Sequence, residues 1–173
     1  MLLKNYNIAI LIPWYNEELT ISRVVKEYKK NVPGAKVYVF DNNSEDSTIK
    51  IAKESGAIVR TVTLQGKGNV VRRMFADVEA DIYVMVDGDA TYDAASAPIL
   101  IQKLIDEDLD MVVGSRKENS KNNNNYRPGH RLGNRILTGS VSKIFGGNFR
   151  DMLSGYRVFS KRFAKSFSAS SRG

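Results

Sequence analysis

Short apolar runs alternate along this chain with stretches whose apolar residues recur every three or four positions. Residues 7–12 form an apolar run closed by Pro13, which predicts a strand leading into a loop. Leu19, Ile21, Val24, Val25 and Tyr28 share one helical face across 19–30, and Pro33-Gly34 closes that helix. A second strand at 36–40 delivers Asp41 to its carboxyl end. The spacing then predicts a helix over 44–54, capped by Ser44, with Glu45 and Asp46 in its first turn. A third strand is expected at 57–62. A Gly66-Lys67-Gly68 turn opens a helix through Val70, Val71, Met74, Phe75 and Val78. A strand at 82–86, a helix at 97–106 and a strand at 110–113 follow. Repeated strand–helix units predict an α/β domain: an open, mainly parallel, twisted sheet flanked by helices, with right-handed crossovers.

The pattern changes after Gly114. Residues 117–126 are polar, with asparagine at 122–125, and are expected to form a mobile loop. Residues 131–145 read as a helix with Leu132, Ile136, Leu137, Val141 and Ile144 inward. A short strand at 156–159 and a short helix at 161–167 complete the set. A chain of 173 residues suits one core, so a single domain over 1–173 is expected. The terminal Ser-Ala-Ser-Ser-Arg-Gly lacks the logic of a domain end, and the expectation is a chain cut short at its C-terminus.

No segment reaches the length of a membrane span, and the first residues lack a secretory layout. With no cysteine, disulfides and thiolate metal sites are excluded, and a reducing cytoplasm fits. His130 is the only histidine, so a multi-histidine zinc site is excluded too. The net charge of +7 is unevenly spread. Residues 1–113 hold 13 Lys/Arg against 17 Asp/Glu, a balance of −4, whereas residues 114–173 hold 13 against two, a balance of +11. Such a basic third suits an anionic partner, whether diphosphate, lipid phosphate or nucleic acid, and equally a solvated basic surface.

The sharpest chemical signal is Asp87-Gly88-Asp89, just past the carboxyl end of the apolar run 82–86. Ligands of open α/β sheets bind in the crevice at that end. Two close carboxylates repel one another, and a hard divalent cation relieves them while also taking substrate phosphate oxygens. A solvated Asp-Gly turn is the plain reading of the same residues.

Polar loops follow the other strands: Pro13-Trp14-Tyr15-Asn16-Glu17, Asp41-Asn42-Asn43-Ser44 and Gly114-Ser115-Arg116. With "GKGNVVR", "VMVDGDATYD", "GHRLGNR" and "DMLSGYRVFSKR" in the same order, the chain resembles the inverting glycosyltransferases of family 2. These have the GT-A (Rossmann-like) fold, and the resemblance is nearest the dolichol- or polyprenyl-phosphate mannose synthase branch. It implies a nucleotide-sugar-binding part over 1–114 and an acceptor-side part over 115–173. Pro13, Tyr15, Asn16 and Glu17 would line the nucleotide pocket, with Asn43 beside it, and Asp41 would accept from a base N–H. Lys67, between two glycines, would approach the nucleotide, although a simple helix-start turn explains it equally well. Asp87 and Asp89 would hold Mg²⁺ or Mn²⁺, Asp89 as a catalytic residue. Related enzymes carry Gln where this chain has Thr91, so water or Asp93 would complete the metal's shell. Arg116, Arg131, Arg135 and Arg157 offer guanidinium forks for phosphates. By resemblance Arg116 and Arg131 would hold an acceptor phosphate, and Ser154 and Arg157 would face the donor diphosphate.

The acceptor expected is a polyprenyl phosphate. An alcohol needs a general base as it attacks, whereas a phosphate monoester is already anionic near neutral pH. Beyond Asp110 the only acids are Glu118 and Asp151. Transfer to a saccharide hydroxyl is the other reading, with Asp151 as a possible base. A polyprenyl acceptor implies peripheral work at the cytoplasmic membrane face, the basic third meeting anionic lipid and the 131–145 helix lying at the interface or packing on the sheet. Two rivals are weaker. Asp87-Gly88-Asp89-Ala90-Thr91 also fits the D-x-D-x-T nucleophile motif of phosphatases, but that motif belongs on a first strand with acids downstream. A nucleic-acid-binding module would pair the cations with clustered aromatics, which are dispersed here, so no nucleic-acid partner is expected. Oligomeric state is not legible.

Overall fold

The computed structural model describes residues 2–88, 90–114 and 154–166. Among them six strands form one sheet in the order β3-β2-β1-β4-β6-β5. The strands are β1 (Ile8–Trp14), β2 (Lys36–Asp41), β3 (Ile58–Thr61), β4 (Ile82–Met85), β5 (Met111–Val113) and β6 (Arg157–Ser160). The helices are α1 (Glu18–Asn31), α2 (Thr48–Glu54), α3 (Lys67–Asp77), α4 (Ala97–Asp106) and α5 (Lys161–Ser166), with a 3-10 turn at Ala94–Ser96 before α4. The first four strands pair in parallel, and β6 pairs antiparallel to both β4 and β5.

β1 lies at the centre of the parallel part and is covered on both faces, which is why it reads as one unbroken apolar run. Strand alternation sends Ile8, Ile10, Ile12 and Trp14 to a core shared with α1 and α4. It sends Ala9 and Leu11 to the opposite core, with Phe40, Met74, Phe75 and Phe159. The two cores on opposite faces of one sheet confirm the α/β architecture.

Two of the boundaries that differ from the sequence reading have a clear local reason. β1 continues through Pro13 to Trp14. Its pairing with β4 stops at Leu11↔Met85, so the missing Pro13 N–H faces a side where no ladder partner is needed. α2 starts at Thr48, not Ser44: the Ser44 hydroxyl accepts from the Asn16 amide at 2.9 Å, and Asp46 Oδ1 accepts from the Thr48 amide at 3.0 Å. β5 does not adjoin β4, because β6 lies between them. The expected loop at 117–126 and helix at 131–145 lie outside the described residues.

Candidate functional site at the carboxyl edge of the sheet

The loops after β1 and β2 are clipped into one unit. The Trp14 carbonyl accepts from the Asn42 amide at 2.9 Å. Asn16, at φ 49, donates its amide to Ser44 Oγ and accepts from the Glu45 amide through Oδ1, both at 2.9 Å. The Glu18 amide donates to Asp46 Oδ2 at 3.2 Å, and the Ser47 amide donates back to Glu18 Oε2 at 2.9 Å. These contacts bring Pro13, Tyr15, Asn16 and Glu17 alongside Asp41 and Asn43. Tyr15 is 53% exposed. The Asp46 carboxyl lies below its usual range: burial would raise it, but hydrogen bonds from Thr48 and Glu18 outweigh that effect.

Asp41 has no exposed surface, and both carboxylate oxygens accept from the Ser44 amide, at 3.3 and 3.2 Å. Here Asp41 holds its own turn. Asn43, at φ 69, donates Nδ2 to the Thr63 carbonyl at 2.9 Å, a left-handed position that asparagine tolerates better than most residues.

The third loop meets a cation. Lys67 opens α3, and its ammonium lies 2.5 Å from Asp87 Oδ1, with the lysine side chain 58% and the aspartate side chain 21% exposed. The Asp87 carboxylate is packed so tightly against Gly155 that a Cβ there would overlap it, 2.7 Å from Oδ1 and nearer still to Cγ and Oδ2. Gly88 is pressed in the same way against the six-membered ring of Trp14. The Gly88 carbonyl accepts from Thr20 Oγ1 at 3.3 Å. Glycine is therefore required at both positions by close approach.

Because β6 runs antiparallel, its amino-terminal end reaches the carboxyl ends of β4 and β5. Arg157 is in register with both Met85 and Val113, so Met85 and Arg157 leave the same face of the sheet, the face α3 covers. Arg157 Nε donates to the Ser154 carbonyl at 3.0 Å. Ser154 is buried, its hydroxyl donating to the Gly114 carbonyl at 2.5 Å and accepting from the Tyr156 amide at 3.1 Å. The Gly155 amide donates to the Tyr92 hydroxyl at 2.7 Å. Burial pushes the Tyr156 phenol up to about 12, leaving it a neutral hydrogen-bonding group. Asp93 accepts from the Ala95 amide and the Ser96 hydroxyl at 3.2 and 3.3 Å, which caps the 3-10 turn.

Asp89, Arg116, Arg131 and Arg135 lie outside the described residues. Among the described residues no three His, Cys, Asp or Glu side chains converge, so Asp87 is the one expected metal ligand placed here. Its carboxylate, half-buried and already drawing an ammonium, fits a cation. Sequence reasoning placed Trp14 and Asn42 in these polar loops, and Tyr92 and Gly155 within its quoted motifs, but gave none of the four a role. The glycine between two acids was the one available sign of a crowded backbone.

Residues 9–167 match glycosyl transferase family 2. The chain belongs to that family. Protein RfbJ of Shigella flexneri is 60% identical over 127 residues, covering 73% of this chain and 98% of RfbJ. Glycosyltransferase AglJ of Haloferax volcanii is 38% identical over 160 residues, covering 89% of this chain and 50% of AglJ. The crystal structure of M. tuberculosis glucosyl-3-phosphoglycerate synthase superposes with a TM-score of 0.74 at 27% identity, covering 93% of this chain and 60% of that one. The chain thus spans about half of AglJ and 60% of the synthase chain. The family 2 assignment and the GT-A sheet replace the phosphatase reading of Asp87-Gly88-Asp89-Ala90-Thr91. No helix among the described residues is long and apolar enough to cross a membrane.

Proposed function

We propose that this family 2 domain transfers a sugar from a nucleoside-diphosphate sugar to a polyprenyl phosphate, with inversion, in the manner of the dolichol-phosphate mannose synthase branch. The observation that carries the reading is the Lys67–Asp87 pair at the carboxyl edge of β4, with Arg157 emerging on the same face. Asp87 and Asp89 would hold Mg²⁺ or Mn²⁺, which when bound supplies Lewis-acid stabilisation of charge on the departing diphosphate. The chain's own groups do the rest. Tyr15, Asn16 and Glu17 line the nucleoside side, Lys67 and Arg157 compensate the diphosphate, and Arg116, Arg131 and Arg135 receive the acceptor phosphate. An acceptor already ionised needs charge compensation more than proton removal, which suits a segment with many arginines and two acids. Work at the cytoplasmic membrane face follows from such an acceptor and from the basic balance of 114–173.

Purified protein with Mn²⁺ and a panel of UDP- and GDP-sugars tests this directly. Release of nucleoside diphosphate from one donor, and sugar recovered in the lipid phase with a short-chain polyprenyl phosphate, are the expected results. Both are lost with EDTA. Transfer only to a saccharide hydroxyl would replace the acceptor, and no release from any nucleotide sugar would remove the reading.

A further inference from the structure

Asn42 directs all three of its side-chain hydrogen bonds to one short segment twenty or more positions away. Its Nδ2 donates to the Val62 carbonyl at 2.8 Å and the Leu64 carbonyl at 3.0 Å, and its Oδ1 accepts from the Gly66 amide at 2.9 Å. Its own amide is held by the Trp14 carbonyl at 2.9 Å, so the residue is anchored to β1 while it grips residues 62–66. The segment needs a grip. The Val62 amide makes the last bond to β2, donating to the Asp41 carbonyl at 2.8 Å; beyond it Leu64 stands 69% exposed. The far side is held by Asn69, whose Nδ2 donates to the Gln65 carbonyl at 2.9 Å. Lys67 comes directly after this braced turn, and its ammonium reaches Asp87 from there.

We propose that Asn42 is a positioning residue for Lys67. By completing the ladder that β3 abandons, it fixes where the Lys67 backbone begins, and so keeps the ammonium within reach of Asp87 and of the diphosphate that binds beside it. A long, exposed lysine side chain would otherwise lose rotamer freedom for a weak surface pair, and an anchored starting point reduces that entropic cost. The link from Asn42 to Lys67 and Asp87 stands on geometry alone. Only the diphosphate as the ammonium's second partner rests on the proposed donor site.

Crystal structures of the full chain carrying Asn42→Ala decide the link without any ligand. Residues 62–66 displaced, with the Lys67 ammonium off Asp87, is the expected result; Lys67 still seated on Asp87 overturns the proposal. Nucleotide-sugar hydrolysis with Mn²⁺ gives the second readout. Asn42→Ala and Lys67→Met should each lower kcat/KM about tenfold, and the double variant should fall no further than Lys67→Met, because groups acting as one unit are non-additive. Losses that multiply to about a hundredfold, the mark of independent sites, overturn it equally. If the unaltered protein turns over no nucleotide sugar, the donor-site reading fails, and the crystal structures still decide whether Asn42 places Lys67.

Discussion

Gly88→Ala places a methyl group where the Trp14 indole already stands. The new Cβ would fall inside the van der Waals surfaces of Cζ3 and Cε3 and lie 2.8 Å from Cη2. Carbon atoms pack comfortably at about 3.5–4.0 Å, so one partner must yield by about 1 Å or more. Trp14 is poorly able to yield: it is 3% exposed, ends the central strand and is bonded through its carbonyl to Asn42. The backbone at 88 moves instead, weakening the 3.3 Å bond from Thr20 Oγ1 and swinging the two flanking aspartates. Overpacking of this kind costs about 1–3 kcal/mol. For a chain of this size that corresponds to about 2–12 °C in melting temperature. A carboxylate misplaced by about 1 Å costs on the order of a hundredfold in rate. Thermal unfolding and nucleotide-sugar hydrolysis with Mn²⁺ measure the two effects. Adding Trp14→Leu removes the ring that the methyl meets and should return part of the turnover. Full activity with an unchanged melting temperature in Gly88→Ala would refute the reasoning.

Other changes probe the same edge. Gly155→Ala should cut turnover more than stability, since the new Cβ overlaps the Asp87 carboxylate; kinetics and a melting curve on one sample separate the two. Asp89→Asn should abolish metal-dependent transfer while the circular dichroism spectrum is unchanged, and normal turnover would remove Asp89 from the mechanism. Arg131→Lys should weaken acceptor use more than donor binding, because the planar fork is lost; equal losses count against an acceptor role. The Asp110 carboxyl is held below its ordinary range by the Arg162 guanidinium and the Ser160 hydroxyl, both 2.8 Å from Oδ1. A depressed carboxylate stabilises above its unfolded value and loses that contribution as pH falls through the folded one. Asp110→Asn should therefore lower stability near neutrality and flatten the acid limb of a pH–melting profile. An acid limb identical to that of the unaltered protein would argue against it.

Much of the sheet was legible because buried parallel strands are written as unbroken apolar runs: β1, β2 and β4 fell within a residue or two of the expected spans. The helix over Ala97–Asp106 matched its expected span. What escaped was pairing. Nothing in Arg157–Ser160 says that it inserts antiparallel between β4 and β5, because strand order depends on which edges remain open after the earlier units fold. Ser44 showed the limit of local reasoning: its hydroxyl has a cap's chemistry, yet Asn16 from another loop claims it. Lys67 and Asp87 were each visible as chemistry, but their meeting was not, since twenty residues and a helix separate them. Asn42 carried no signal beyond sitting between an aspartate and a second asparagine.

The placement of β6 has a bearing on how the chain acquires its shape. During synthesis β4 and β5 emerge well before the strand that joins them, and neither can complete its ladder until Arg157–Ser160 arrives. Among the described strands β6 therefore closes the gap between β4 and the edge strand β5 late, a contact of long sequence separation that slows folding. Until then two apolar edges stand open to neighbouring chains. Nascent chains halted before residue 157 would be the aggregation-prone species, and the crevice that holds Asp87 would acquire its Gly155 wall only once β6 docks.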